Sequence, residues 1–134
     1  MMNTKTFITQ PNEDLTNIAH YILNNLTNSK VILLNGELGA GKTTLLKTLA
    51  KLININEPIT SPTFNYMKVY DGLVHIDAYN LRGGIEEFED YQNSNDILAI
   101  EWASKLELFY SNYLEVNITI DFDDNHIFEV KVVN

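Results

Sequence analysis

Cysteine is absent from this chain of 134 residues, and basic residues are scarce. The lack of cysteine excludes disulfides and thiolate metal sites, although it fits any cellular compartment. Lysine and arginine together number 9, against 18 aspartates and glutamates, which gives a formal net charge of -9. Because nucleic-acid backbones and anionic membranes attract basic surfaces, this balance predicts no direct DNA binding and no strong direct binding of RNA or membranes.

Long apolar runs are also missing. The N-terminal stretch MMNTKTFITQ has no apolar core of signal-peptide length, and no run approaches the length of a membrane span. With 45% apolar residues, the chain is expected to form one globular domain over residues 1–134. We therefore predict a soluble, cytoplasmic protein.

The apolar spacing predicts an α/β fold. Helical spacing follows Asn12, the predicted N-cap of the first helix, and resumes after the glycines near residue 40. The order of elements indicates a sandwich in which helices flank a sheet of mixed parallel and antiparallel strands. The predicted strands are 5–9, 31–35 and 97–102, the hairpins are 64–79 (turning at Asp71-Gly72) and 114–133, and the later helices are 85–91 and 103–111.

Only six glycines are present, yet three of them lie between positions 36 and 41. The stretch GELGAGKT at 36–43 matches G-x-x-x-x-G-K-[ST], the phosphate-binding loop, and it lies between a predicted buried strand and an amphipathic helix. Backbone N–H groups that turn inward to hold phosphate oxygens need conformations that a Cβ would block. Lys42 would supply charge to the β- and γ-phosphates, and Thr43 a hydroxyl to Mg²⁺. The predicted nucleotide-binding stretch comprises Glu37, Leu38, Gly39, Ala40, Gly41, Lys42, Thr43 and Thr44.

Two predicted buried strands end in an acidic residue, Asp77 in LVHID and Glu101 in ILAIE. If both strands run parallel to the strand at 31–35, both carboxylates lie beside the phosphate loop, where the metal of a nucleotide complex needs oxygen ligands. We therefore predict Lys42, Asp77 and Glu101 as catalytic residues and Thr43, Asp77 and Glu101 as metal ligands. Asp77 is assigned to the metal side and Glu101 to the side of the attacking water or of the switch.

Thr63 lies in the proline-framed loop SPTF, where a nucleotide-sensing switch is expected, although the loop taken alone is better explained as an ordinary turn. His75 is interpreted as a packed strand histidine, because no histidine or cysteine has the spacing of a second metal ligand. The guanine-reading pattern N-K-x-D is absent, which removes support for GTP.

Several motifs in a fixed order resemble the TsaE (YjeE) family of small bacterial P-loop ATPases. They are GELGAGKTT, SPTF, HIDAYNL, EDY and IEWASKLE, and the resemblance runs from about residue 12 to residue 122. It implies a P-loop NTPase-like fold, ATP with Mg²⁺, a switch-like loop at 61–63 and a role in threonylcarbamoyladenosine modification of tRNA. It also implies TsaB and TsaD as partners, with tRNA contacted only through them.

One position departs from the family pattern His-x-Asp-x-Tyr-Arg, because Asn80 follows Tyr79 and the only arginine is Arg82. Either Arg82 replaces the family arginine from a shifted loop, or that contact is lost. Trp102, the only tryptophan, follows Glu101 and is either a residue that senses the nucleotide or part of the core.

Two other functions remain open at the level of sequence. A small phosphotransferase is one, although such kinases close over their phosphates with several arginines. A non-catalytic module in which ATP stiffens an interface is the other. The single arginine also indicates slow intrinsic hydrolysis, because transition-state charge would be poorly neutralised without a partner.

Overall fold

The computed structural model describes residues 2–37, 39–60, 67–79, 90–105, 108 and 110–134. Within these ranges the chain forms seven strands, two α-helices and a short 3₁₀ helix. No helix in the described part is both long and apolar enough to cross a membrane. The elements are β1 Met2–Thr9, α1 Thr16–Asn24, β2 Val31–Gly36, α2 Lys42–Leu52, β3 Met67–Tyr70, β4 Leu73–Asp77, β5 Ile97–Glu101, the 3₁₀ helix Ala103–Lys105, β6 Tyr113–Ile120 and β7 His126–Val133.

The seven strands form one sheet in the order β1-β7-β6-β2-β5-β4-β3. Its centre is parallel, because β2 pairs in parallel with both β5 and β6, and β5 pairs in parallel with β4. Antiparallel strands complete it on both sides, with β7 and β1 beyond β6 and β3 beyond β4. The predicted α/β fold with a mixed parallel and antiparallel sheet is therefore confirmed. The parallel centre brings the carboxyl ends of four strands to one edge.

Helices α1 and α2 pack on one face of this sheet. Their apolar stripes are buried against alternate residues of the strands, as helical spacing and strand alternation require. The opposite face of β2, β4 and β5 is covered by the segment that follows β5. Burial on both faces explains why β5 is buried at all five positions and reads as a continuous apolar run.

Both hairpins have the predicted connections. Tyr70 pairs with Leu73 across the Asp71-Gly72 turn, and Gly72 has a φ of 92°, which side chains with a Cβ rarely adopt. The second hairpin joins β6 to β7, with residues 121–125 in the turn. The predicted helix over 85–91 lies outside the described residues except for Asp90 and Tyr91, which form a turn.

The start of α1 differs from the prediction. Asn12 is not its N-cap, because it lies in a turn with a φ of 65° and the helix begins at Thr16. Leu15 is the N-cap and has no side-chain capping bond, while Oδ1 of Asp14 accepts hydrogen bonds from the Thr16 N–H at 2.8 Å and the Thr16 hydroxyl at 2.6 Å. A carboxylate that bonds the backbone two residues on competes with the helix and delays its start.

The helix predicted over 103–111 is also wrong in the part that is described. Only Ala103–Lys105 is helical, as a single 3₁₀ turn, while Leu108, Tyr110 and Ser111 are irregular. The apolar residues of this stretch pack over the sheet face as a connecting segment. The apolar spacing of this stretch predicted a helix, but the same residues are buried by packing on the sheet without forming one.

Candidate functional site

The glycine-rich loop connects the end of β2 to the start of α2. At Gly36 a Cβ would lie 2.8 Å from the carbonyl oxygen of Ile118, so only glycine fits beside the neighbouring strand. At Gly41, the N-cap of α2, φ is 122°, again outside the range of ordinary residues. The loop therefore needs glycine at both positions, and it ends at a helix N-terminus, where the helix dipole favours anions.

Lys42 is folded back onto this loop. Its residue is 5% exposed, and its ammonium donates hydrogen bonds to the carbonyl oxygens of Gly36 and Glu37, the latter at 3.0 Å. The ammonium also lies 4.0 Å from the centroid of the Trp102 ring. Burial lowers the pKa of Lys42, while the carboxylate of Glu101 opposes that shift most strongly among its charged neighbours. The positive charge of Lys42 is thus held at the loop by two carbonyl oxygens and the face of an aromatic ring.

Asp77 and Glu101 meet at the edge of the sheet, as predicted. They end the parallel strands β4 and β5 and are direct register partners, and Glu101 is also in register with Leu34 of β2. Both carboxylates line one cavity together with loop residues and Trp102. The full lining is Gly39, Gly41, Lys42, Thr43, Thr44, Asp77, Glu101 and Trp102.

Glu101 has a buried partner that the sequence did not indicate. Its Oε2 lies 2.7 Å from Nε2 of His75, and the two side chains are 4% and 0% exposed. The interpretation of His75 as a buried strand residue agrees with this burial. Among the residues that the structure describes, no cluster of three or more His, Cys, Asp or Glu is suited to hold a metal.

Trp102 forms part of the cavity wall. It is partly buried, its φ is 60°, and its N–H donates a hydrogen bond to the Leu34 carbonyl at 2.8 Å. Its ring contacts that of Tyr79 edge to face, with centroids 4.9 Å apart. Trp102 therefore contacts the ammonium of Lys42 in addition to its packing against Tyr79.

A second cavity adjoins the loop, and sequence analysis missed it. His126 at the start of β7 lies with its Nδ1 2.6 Å from the Ala40 carbonyl oxygen, 86 positions away in the chain. No spacing in the sequence joins such distant segments, so only the folded sheet reveals this pairing. The cavity is lined by Thr9, Gln10, Pro11, Asn12, Glu13, Leu15, Gly39, Gly41, Thr44, His126 and Phe128.

Some predicted site residues lie outside the described part of the chain. Leu38, Thr63 and Arg82 lie at positions that the structure does not describe, as does Asn80. Glu37 is exposed and contributes its carbonyl oxygen to Lys42, while Ala40 is buried and accepts the contact from His126.

Comparisons with known proteins agree with the motif order. The family model for threonylcarbamoyl adenosine biosynthesis protein TsaE matches residues 9–128. A tRNA threonylcarbamoyladenosine biosynthesis protein TsaE from Nostoc sp. is 35% identical over 142 residues, covering 98% of this chain and 87% of the relative. The protein of that name from Aquifex aeolicus is 38% identical over 109 residues, covering 75% and 78%.

A solved structure gives the same result for the fold. The crystal structure of YdiB from Bacillus subtilis superimposes with a TM-score of 0.69 at 26% identity, covering all of this chain (100%) and 88% of that one. The sheet, the loop and the strand-end acids thus lie in a chain whose likeness to known proteins extends over nearly its whole length. This chain belongs to the TsaE family of threonylcarbamoyl adenosine biosynthesis proteins.

Proposed function

We propose that this protein binds ATP with Mg²⁺ and hydrolyses it slowly in the threonylcarbamoyladenosine modification of tRNA. One observation carries the proposal: Lys42, Thr43, Asp77 and Glu101 line a single cavity at the N-terminus of α2. A nucleoside triphosphate and its metal require a cationic loop, a hydroxyl and carboxylates around one space. Membership of the TsaE family supports the role in tRNA modification.

The phosphates are assigned to the loop and to Lys42. The start of α2 favours negative charge, and the Lys42 ammonium can exchange its two carbonyl acceptors for phosphate oxygens. This exchange is favourable because a phosphate is a stronger acceptor than a neutral carbonyl. The cation–π contact with Trp102 keeps the ammonium close to the loop while its hydrogen-bond acceptors change from carbonyl to phosphate oxygens.

The oxygen groups of the cavity fit Mg²⁺. The Thr43 hydroxyl and the carboxylates of Asp77 and Glu101 are hard ligands, and Mg²⁺ takes few protein ligands when phosphates complete its shell. Bound there, the ion would neutralise charge on the phosphates. Asp77 is proposed to hold the metal side. Glu101 is proposed to orient the water that attacks the γ-phosphorus as the bond to the bridging oxygen of ADP breaks.

The nucleoside is assigned to the second cavity. This cavity shares Gly39, Gly41 and Thr44 with the first, so a ligand whose phosphates occupy the loop can extend into it. The buried core residues Phe128 and Leu15 form the floor of this cavity, and the exposed Gln10 offers an amide at its edge. The segment after β1 lines this cavity through Gln10, Pro11, Asn12 and Glu13, so it would contact a ligand that extends from the loop.

We further propose TsaB and TsaD as partners in the cytoplasm, with tRNA bound by them. The net charge of -9 disfavours direct contact with RNA, and it is compatible with a partner that holds the nucleic acid. With one arginine in the chain, full hydrolysis is expected to need groups from the partner.

Calorimetric titration tests the assignment of the site. ATP with Mg²⁺ is titrated into wild-type protein, into Lys42→Ala and into Lys47→Ala, an exposed lysine of the same helix that serves as the control. The proposal predicts binding by the wild type and the control and severe loss in Lys42→Ala. Equal affinity in all three proteins would remove the loop from the nucleotide site.

A further inference from the structure

His75 is a fully buried polar residue on a strand that is otherwise apolar in its interior. It is 0% exposed, and its face neighbours on the sheet include Leu73 and Ala99. Its Nε2 lies 2.7 Å from Oε2 of Glu101, one strand away and two positions further along. An apolar residue at this position would have avoided the cost of burying an imidazole.

That cost is visible at the other ring nitrogen. Nδ1 of His75 is buried and has no hydrogen-bond partner among the atoms that the structure describes. A buried polar atom left unpaired is destabilising, so packing alone does not account for a histidine at this position. Nδ1 is best accommodated without a proton, as an unpaired acceptor. The ring proton then lies on Nε2, from which it is donated to the carboxylate of Glu101.

We infer that His75 is a positioning residue, which holds the Glu101 carboxylate in the orientation that the metal site and the attacking water need. This inference rests on the proposed ATPase function. The His75 ring is buried behind Glu101, so it acts through that carboxylate. The Nε2–H of His75 donates a hydrogen bond to Oε2 of Glu101 and so fixes the rotation of that carboxylate. The other oxygen, Oε1, is then left for the metal site and the attacking water in the cavity.

The register of the sheet makes this role specific. Asp77 and Glu101 are direct partners across β4 and β5, and His75 lies on the Asp77 strand two residues earlier, on the same face. One strand therefore supplies both a carboxylate of the site and the donor that orients the other carboxylate. A rigid parallel pair keeps the three side chains in a constant relation.

The test uses substitutions that differ in where they place a donor. In His75→Gln the amide nitrogen reaches the place of Nε2, in His75→Asn it reaches only the place of Nδ1, and in His75→Leu there is no donor. Each folded variant is compared with wild type in kcat, KM, Mg²⁺ activation of hydrolysis, and calorimetric ATP affinity with Mg²⁺ or with EDTA. Thermal unfolding identifies which variants fold.

Loss of an outer hydrogen bond to a metal-site ligand typically costs about 10- to 100-fold. We expect His75→Asn and His75→Leu to lose that factor in kcat or in Mg²⁺ activation, while ATP affinity in EDTA stays within about twofold. His75→Gln is expected to recover most of the loss. A purely structural role would instead lower stability without changing kcat or Mg²⁺ dependence, and that result in a folded His75→Asn or His75→Leu variant would overturn the inference.

Nitrogen NMR on the wild-type protein provides a readout that needs neither activity nor a variant. The inference predicts a protonated Nε2 on His75, and a bare Nε2 facing Glu101 would overturn it. A wild-type protein that neither binds nor hydrolyses ATP with Mg²⁺ would overturn the proposed function and this inference with it. An active wild type with unaffected Asn and Leu variants would overturn the inference alone.

Discussion

Replacement of Lys42 by methionine separates the packing of this side chain from its charge. Methionine retains an apolar stem of similar length, so contact with Trp102 is kept while the ammonium is lost. In the structure that ammonium already donates to the carbonyl oxygens of Gly36 and Glu37. ATP binding therefore exchanges existing bonds for stronger ones, and the net gain is that of about one charge-assisted bond, about 1.5–3 kcal/mol. We expect Lys42→Met to weaken ATP binding by roughly 10- to 150-fold.

The fold is expected to survive this substitution. The buried ammonium is stabilised by the Trp102 ring and by its hydrogen bonds to two carbonyl oxygens. Removing it from water costs several kcal/mol, which offsets most of that gain. The free energy of unfolding should thus change by no more than about 2 kcal/mol.

The pH dependence has a defined sign. Burial lowers the pKa of Lys42 from its ordinary value of 10.5, so the folded protein releases this proton at lower pH than the unfolded chain. Between those two pKa values the unfolded chain holds more protons, and the stability contributed by Lys42 rises with pH. Lys42→Met lacks this rise, so wild type should gain stability relative to the variant as the pH approaches 10.5.

Calorimetry with ATP and Mg²⁺ measures the binding loss, and urea unfolding over a range of pH measures the stability. Lys47→Ala, an exposed change on the same helix, is the matched control for a lost positive charge. The reasoning is refuted if Lys42→Met binds ATP as tightly as wild type. It is also refuted if the control loses as much affinity, since net charge would then explain both results.

Three further predictions concern the loop, the first helix and the acids. Gly36→Ala places a Cβ 2.8 Å from a backbone carbonyl oxygen of β6 and should lower the free energy of unfolding by about 1–3 kcal/mol in urea, whereas no change would exclude the close approach. Hydrogen bonds from Thr16 hold the pKa of Asp14 below its ordinary 3.8, so Asp14→Ala should reduce stability above that pH, with the difference from wild type vanishing as pH falls through the lowered pKa; a difference that persists in strong acid would contradict this. Asp77→Ala and Glu101→Ala should each reduce ATP hydrolysis by about 100-fold, the order expected of groups that act on the transition state, while thermal unfolding stays cooperative; full activity in either variant would remove that residue from the site.

The parts of the site that could be predicted depend on local sequence. Gly36 and Gly41 lie in a motif whose geometry is fixed by a few adjacent residues, so the motif predicted the loop between strand and helix. Asp77 and Glu101 were predicted because the carboxyl ends of parallel strands share an edge. The type and direction of each element are enough for these two predictions.

The parts that could not be predicted depend on distant contacts. His126 meets Ala40 because β7 returns beside β6, and no local pattern encodes that approach. The bond from His75 to Glu101 depends on the register between two strands, which a buried apolar run does not specify. Asn12 was the wrong cap because it lies in a turn with a positive φ and Asp14 bonds the first helical residue instead, a choice that residue type alone leaves open.

ATP hydrolysis by the purified protein is the measurement that tests the central claim most directly. Phosphate release is followed with the protein alone and with the TsaB–TsaD pair, each with Mg²⁺ and with excess EDTA. The account predicts slow release that depends on Mg²⁺, rises when the pair is added and is lost in Lys42→Ala. Absence of any ADP formation with Mg²⁺ and the pair present would contradict it.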